Sequence, residues 1–211
     1  TIFTIFLCST VYSQNKFNQK KNDGYKISGE ITGLQDSSVI LAYYFGGKQY
    51  ATDTANVING KFAFKGDKKL KGGMYLIVLP DQQYFDIIVS EQEFSFSTNI
   101  SDLVGSMQFK NSIENPPFYE YLNFIVKMQN DVIPLRKKLE SASKVEKKEI
   151  QSQINKIDNK VKFYRETFVK KNKKLFFSNV VNATTEIEIP KSPLDSLGNP
   201  DQTFPYRYYK K

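Results

Sequence analysis

The sequence predicts an all-β antiparallel sandwich or curved sheet of about eight strands, then an antiparallel α-helical hairpin and an extended tail. Three observations predict this. Apolar residues alternate in short, turn-punctuated runs from residue 24 to 115. After Asn115-Pro116-Pro117 the apolar spacing switches to threes and fours. From Pro190 to Pro205 the chain holds four prolines and little apolar pattern, so that stretch predicts a connector.

The first run, Tyr25 to Ile31, places Tyr25, Ile27, Gly29 and Ile31 on one face. Ser38 to Phe45 follows and stops at Gly46-Gly47. Gln49 to Ile58 and Lys61 to Lys65 flank Asn59-Gly60, a pair that suits a two-residue type I′ turn because both residues tolerate φ > 0. Met74 to Leu79 is continuously apolar and predicts a central strand buried on both faces. It ends at Pro80-Asp81. Gln83 to Ser90, Glu93 to Ser97 and Ser106 to Lys110 complete the set. The β-rich domain is therefore expected over 24–115.

A helical arm is expected over 116–180. Its first helix carries Phe118, Tyr121, Ile125, Met128, Val132, Leu135 and Leu139 on one stripe, and Pro134 interrupts its hydrogen bonding. Ser143 and Glu146 form a capping box for the second helix, which carries Ile150, Ile154, Ile157, Val161, Tyr164 and Phe168. Two such stripes joined by a short polar turn pack against each other as a hairpin. Leu175 to Val181 either extends the second helix or docks on a neighbour. The connector is expected over 181–211, with Tyr206 to Lys211 opening a further element.

Thr1 to Val11 is apolar, uncharged and too short to span a bilayer, which fits the core of an export signal. Residues 1–13 are expected to be a signal-peptide remnant cleaved before Gln14, and residues 14–23 a polar linker. The small residue that a lipid-anchor signal requires before its cysteine is absent, since Leu7 precedes Cys8. Export is therefore the expected fate of the chain. The abrupt start and end read as those of a gene fragment.

Composition narrows the chemistry. The 211 residues contain no His, no Trp and one Cys, alongside 17 Phe and 13 Tyr. No imidazole base, Ser-His-Asp triad, His-ligated metal or Cys-x-x-Cys pair can be built from them. No catalytic, cofactor-binding or metal-binding residue is assigned, and no cofactor is expected. Asp53, Asp81 and Asp86 read as turn or edge residues, because nothing in their spacing pairs two of them. The formal charge of +8 is uneven: residues 116–174 hold 15 Lys+Arg against 7 Asp+Glu, and the remainder balances. That segment reads as a solvated helical face, with contact to a membrane surface or polyanion as the second reading. It lacks a nucleic-acid reading motif, so nucleic acid is not an expected partner. The candidate partner-binding residues are Tyr43, Tyr44, Phe45 and Tyr50, which flank one turn; strand alternation can bury only some of them.

One set of residues resembles a known family. Tyr25-x-Ile27-x-Gly29-x-Ile31 opens it, followed by Asp53-Thr54, Asn59-Gly60-Lys61-Phe62-x-Phe64-x-Gly66 and Gly73-Met74-Tyr75. Tyr84-Phe85-Asp86, Phe94-x-Phe96 and Asn111-Ser112-x-Glu114-Asn115-x-x-Phe118 complete it. The chain resembles the uncharacterised β-rich N-terminal domain of exported TlpA-type and peroxiredoxin-like redoxins of Gram-negative bacteria, which implies a periplasmic or outer-membrane location. In those proteins a helical segment and a connector lead to a thioredoxin fold with Cys-x-x-Cys. The resemblance implies a non-catalytic binding or positioning module whose partner is a C-terminal thioredoxin-like domain outside these residues, with envelope proteins as clients. The alternative is a stand-alone envelope protein that binds glycan, lipid or a protein partner.

Overall fold

The computed structural model describes residues 24–184, 190–194 and 197–210. The expected export signal with Cys8 and the expected linker lie outside the described residues, as do 185–189, 195–196 and Lys211.

Eight strands form: β1 (Tyr25–Thr32), β2 (Ser37–Phe45), β3 (Lys48–Val57), β4 (Lys61–Gly66), β5 (Gly73–Val78), β6 (Tyr84–Val89), β7 (Glu93–Asn99) and β8 (Gln108–Lys110). They make two four-stranded sheets, β4-β1-β7-β8 and β3-β2-β5-β6, packed as a sandwich. Alternation decides what lies between them. Ile27, Ile31, Phe62, Phe64, Phe94 and Phe96 of the first sheet meet Val39, Leu41, Tyr75, Ile77, Phe85 and Ile87 of the second. Phe96 is the hub, with ring centroids 5.9 Å from Phe62, 5.6 Å from Phe85 and 6.1 Å from Phe109. Gly29 sits beneath this cluster, where a Cβ would collide with the rings of Phe62 and Phe96. Tyr75, Leu76 and Ile77 are buried in succession, so β5 is covered on both faces as its apolar run predicts.

Two tight hairpins follow from turn chemistry. Asn59 and Gly60 adopt φ of 52° and 74°, and Gly46 and Gly47 adopt 54° and 78°. Both pairs meet the type I′ requirement. One pairing departs from the expected antiparallel pattern: β1 and β7 run parallel, with Lys26 opposite Glu93 and Thr32 opposite Asn99. Residues 33–92 intervene, so no turn imposes an antiparallel direction on this pair.

The helices are α1 (Asn115–Ser141), α2 (Lys144–Lys171), α3 (Phe176–Ala183) and α4 (Phe204–Tyr209). The start of α1 meets the end of α2: Tyr121 lies 5.1 Å from Phe168, and Phe124 stacks on Tyr164 at 3.7 Å. These contacts make the expected antiparallel hairpin. Phe118, Tyr121, Met128 and Val132 of α1, with Ile154 and Phe168 of α2, are buried along its stripe, while Asn115 and Tyr119 of α1 are buried against the sandwich. The capping box forms, Glu146 N–H donating to Ser143 Oγ at 3.5 Å and Ser143 N–H to Glu146 Oε2 at 2.9 Å. α1 continues past exposed Pro134. Leu175 to Val181 does not extend α2. It forms α3, which folds back so that Phe177 lies 4.6 Å from Phe118 and 5.8 Å from Phe168. The tail is less uniformly extended than expected, since Tyr206 and its neighbours form the short helix α4.

The sandwich is closed differently along its two sides. Along one, the β3–β4 hairpin runs from sheet to sheet, and Asp53 of β3 accepts Tyr25 Oη–H at 2.7 Å and Lys65 N–H at 3.2 Å. Along the other, the outer edges of β6 and β8 are covered by the base of α1. Asn115 bonds both backbone groups of Ile88, Tyr119 Oη donates to the carbonyl of Asp86 at 2.8 Å, and Phe109 packs 5.1 Å from Tyr119. A covered edge cannot recruit another strand.

Candidate functional site

The β2–β3 hairpin extends beyond the core. Every residue from Tyr43 to Ala51 is exposed, although β2 is buried at Leu41 and Ala42 immediately before. The register explains the change. Leu41 opposes Asp53 and Ala42 opposes Ala51, so Thr52 is an unpaired bulge residue that bends the strand pair.

The four candidate aromatics divide between two faces. Tyr43 and Tyr50 are cross-strand partners stacked at 5.7 Å and 25°. Phe45 meets Tyr50 edge-on at 6.4 Å, and Tyr43 lies 6.2 Å from Tyr75. These three therefore continue the aromatic row of the core outward, past the cover of the first sheet. Tyr44 points to the opposite face and donates to Asp86 Oδ1 at 2.8 Å. The structure thus brings Tyr43, Phe45 and Tyr50 together and uses Tyr44 as a brace. Phe45 is the most exposed at 71%.

Tyr75 and Asp86 anchor the hairpin to the rest of the second sheet. Tyr75 is buried and donates to the Lys71 carbonyl at 2.9 Å. Burial, then proximity to Tyr43, raises its phenol above the ordinary value. Asp86 is held above the ordinary carboxylate value by burial, partly offset by the hydrogen bond from Tyr44. Burial also raises Tyr44, and its bond to Asp86 adds to the effect. Sequence reading placed Asp86 at an edge, where it lies, but missed its link to Tyr44 over 42 residues. Strand alternation alone signals that Tyr44 faces away from Tyr43 and Phe45.

A second surface feature is a hollow of about 290 Å³ on the outer face of the first sheet. Ser28, Ser95 and Ser97 form its floor, and Glu30, Lys61 and Lys110 its rim. Lys61 pairs with Glu30 at 3.7 Å, with both side chains largely exposed. Such a pair adds little stability. Among the described residues no group of three acidic or sulfur side chains is placed to hold a metal ion, and no helix is long and apolar enough to cross a membrane.

No curated protein and no solved structure matches this chain. Residues 25–118 match the model of a protein family described as "Domain of unknown function (DUF4369)", a span that includes all eight strands, Glu114 and Asn115 and ends at Phe118.

Proposed function

We propose that this chain is a non-catalytic binding and positioning module of an exported thioredoxin-like thiol–disulfide oxidoreductase. The redox domain lies beyond these residues. The observation that carries the positioning role is the rigid junction between sandwich and arm. Glu114 accepts the backbone N–H groups of Phe176 and Phe177 at 2.7 and 3.2 Å, while the next residue, Asn115, is bonded to β6. One dipeptide therefore fixes the direction of the helical arm relative to the sheets. A rigid arm sets the effective concentration of whatever it carries near whatever the sandwich binds. The aromatic β2–β3 hairpin is the binding end in this reading.

Redoxin parentage and a periplasmic or outer-membrane location are supported by the motif resemblance from Tyr25 to Phe118. The family match over the same residues supports the β domain itself. The test compares thiol–disulfide reductase activity in these 211 residues and in the product of the extended reading frame. Activity is expected in the longer product only. Reductase activity in the short chain removes the non-catalytic role, and a downstream frame without Cys-x-x-Cys removes the parentage.

A further inference from the structure

We infer that the β2–β3 hairpin is a membrane-interface prong that inserts its tip among lipid headgroups. The inference rests on the binding role given to this hairpin above and names its partner. Three observations point to lipid.

The first is shape. Residues 43–51 project with every side chain exposed, and none of them lines a described cavity. A convex prong offers a small ligand no enclosure. It suits a soft surface that closes around it.

The second is the order of chemistry toward the tip. Phe45 adjoins the Gly46-Gly47 turn and is the most exposed of the hairpin aromatics. Tyr43 and Tyr50 stand behind it, each with an apolar ring and a hydroxyl. This sequence of apolar tip and amphipathic collar matches the gradient from acyl chain to headgroup.

The third is charge. From Tyr43 to Ala51 the only charged residue is Lys48, directly opposite Phe45. Its stem can lie along the acyl boundary while the ammonium reaches a lipid phosphate. With no acidic residue between Tyr43 and Ala51, Lys48 leaves the tip positively charged toward an anionic leaflet. The prong also arrives already ordered. Tyr43 is packed on Tyr75 and Tyr44 is tied to Asp86, so little conformational freedom is lost on insertion.

The absence of tryptophan supplies the test, since Phe45→Trp places a single indole in the chain. Vesicles of phosphatidylethanolamine and phosphatidylglycerol are titrated into this variant. A blue-shifted emission and quenching by brominated acyl chains are expected. Phe45→Ser should weaken vesicle binding about tenfold, which corresponds to about 1.4 kcal/mol. Phe163→Ser, on the arm and equally exposed at 71%, should leave it unchanged. An indole that stays at its water wavelength while the chain sediments with vesicles overturns the inference, because another part of the chain is then the anchor. Equal losses from the two serine variants overturn it too. Retention of a protein partner by the parent chain but not by Phe45→Ser, without any vesicle-induced shift, overturns lipid as the partner and leaves the binding role intact. If Phe45→Ser alters neither vesicle nor protein binding, both readings of the hairpin fall. None of these outcomes bears on the reductase comparison.

Discussion

Asn115 pairs with Ile88 as a neighbouring strand would: its Nδ2 donates to the Ile88 carbonyl at 2.7 Å and its Oδ1 accepts the Ile88 N–H at 2.8 Å. The asparagine is fully buried, so both strand groups are sealed from water. Removing the amide leaves two buried backbone groups without partners. Asn115→Ala should cost about 2 to 4 kcal/mol in urea unfolding. A loss below about 0.5 kcal/mol would show that water replaces the amide there.

Glu114 performs a parallel task for α3. Its carboxylate holds the first N–H groups of that helix, which have no partner within the helix. Glu114→Ala should release α3 while the sandwich persists. Hydrogen exchange should accelerate from Phe177 to Val181 and stay slow in β1 and β5. Protection that falls equally everywhere would mean that α3 is part of the global folding unit.

The arm depends on a narrow stripe, and Ile154 is the buried residue at its middle. Ile154→Asp places a carboxylate at a buried position of that stripe or forces the helices apart. A loss of more than about 2 kcal/mol is expected, with reduced helical circular dichroism. An unchanged spectrum and melt would refute packing along this stripe.

Asp86 gives the fold a definite pH response. Burial raises its carboxyl above 3.8, so the folded chain binds that proton more tightly than the unfolded chain. Stability from this group is therefore fully present below 3.8, falls as pH rises through the raised value, and stays lower above it. Asp86→Asn keeps an acceptor for Tyr44 and removes the charge. It should raise the urea midpoint at neutral pH and have no effect below the titration range. Tyr44→Phe should move the Asp86 carboxyl titration further up, as read by carbon NMR, because the lost hydrogen bond favoured the carboxylate. A downward move would contradict the geometry.

Local signals made most of the architecture legible. Two-residue alternation located the strands, Gly46-Gly47 and Asn59-Gly60 located two hairpins, and Ser143 with Glu146 located the turn of the arm. Contacts distant in sequence were not legible. Nothing near Asn115 announces Ile88, 27 residues away, and nothing near β1 announces a parallel partner at β7. The aromatic hairpin fell between these cases. Alternation separated Tyr44 from Tyr43 and Phe45, but the stacking of Tyr50 on Tyr43 depended on the register past Thr52, and the link from Tyr44 to Asp86 on a contact across 42 residues.

The β1–β7 pairing also sets an order of events during synthesis. β1 emerges early and can pair with β4 once the intervening β2 and β3 are made, yet its other side waits for Glu93 to Asn99. Until that segment leaves the ribosome, the backbone of β1 is open on one side. Closing so long a loop late in folding is slow, and the waiting edge invites pairing with another chain. A nascent chain arrested before β7 should therefore be a better holdase client than one arrested just after it.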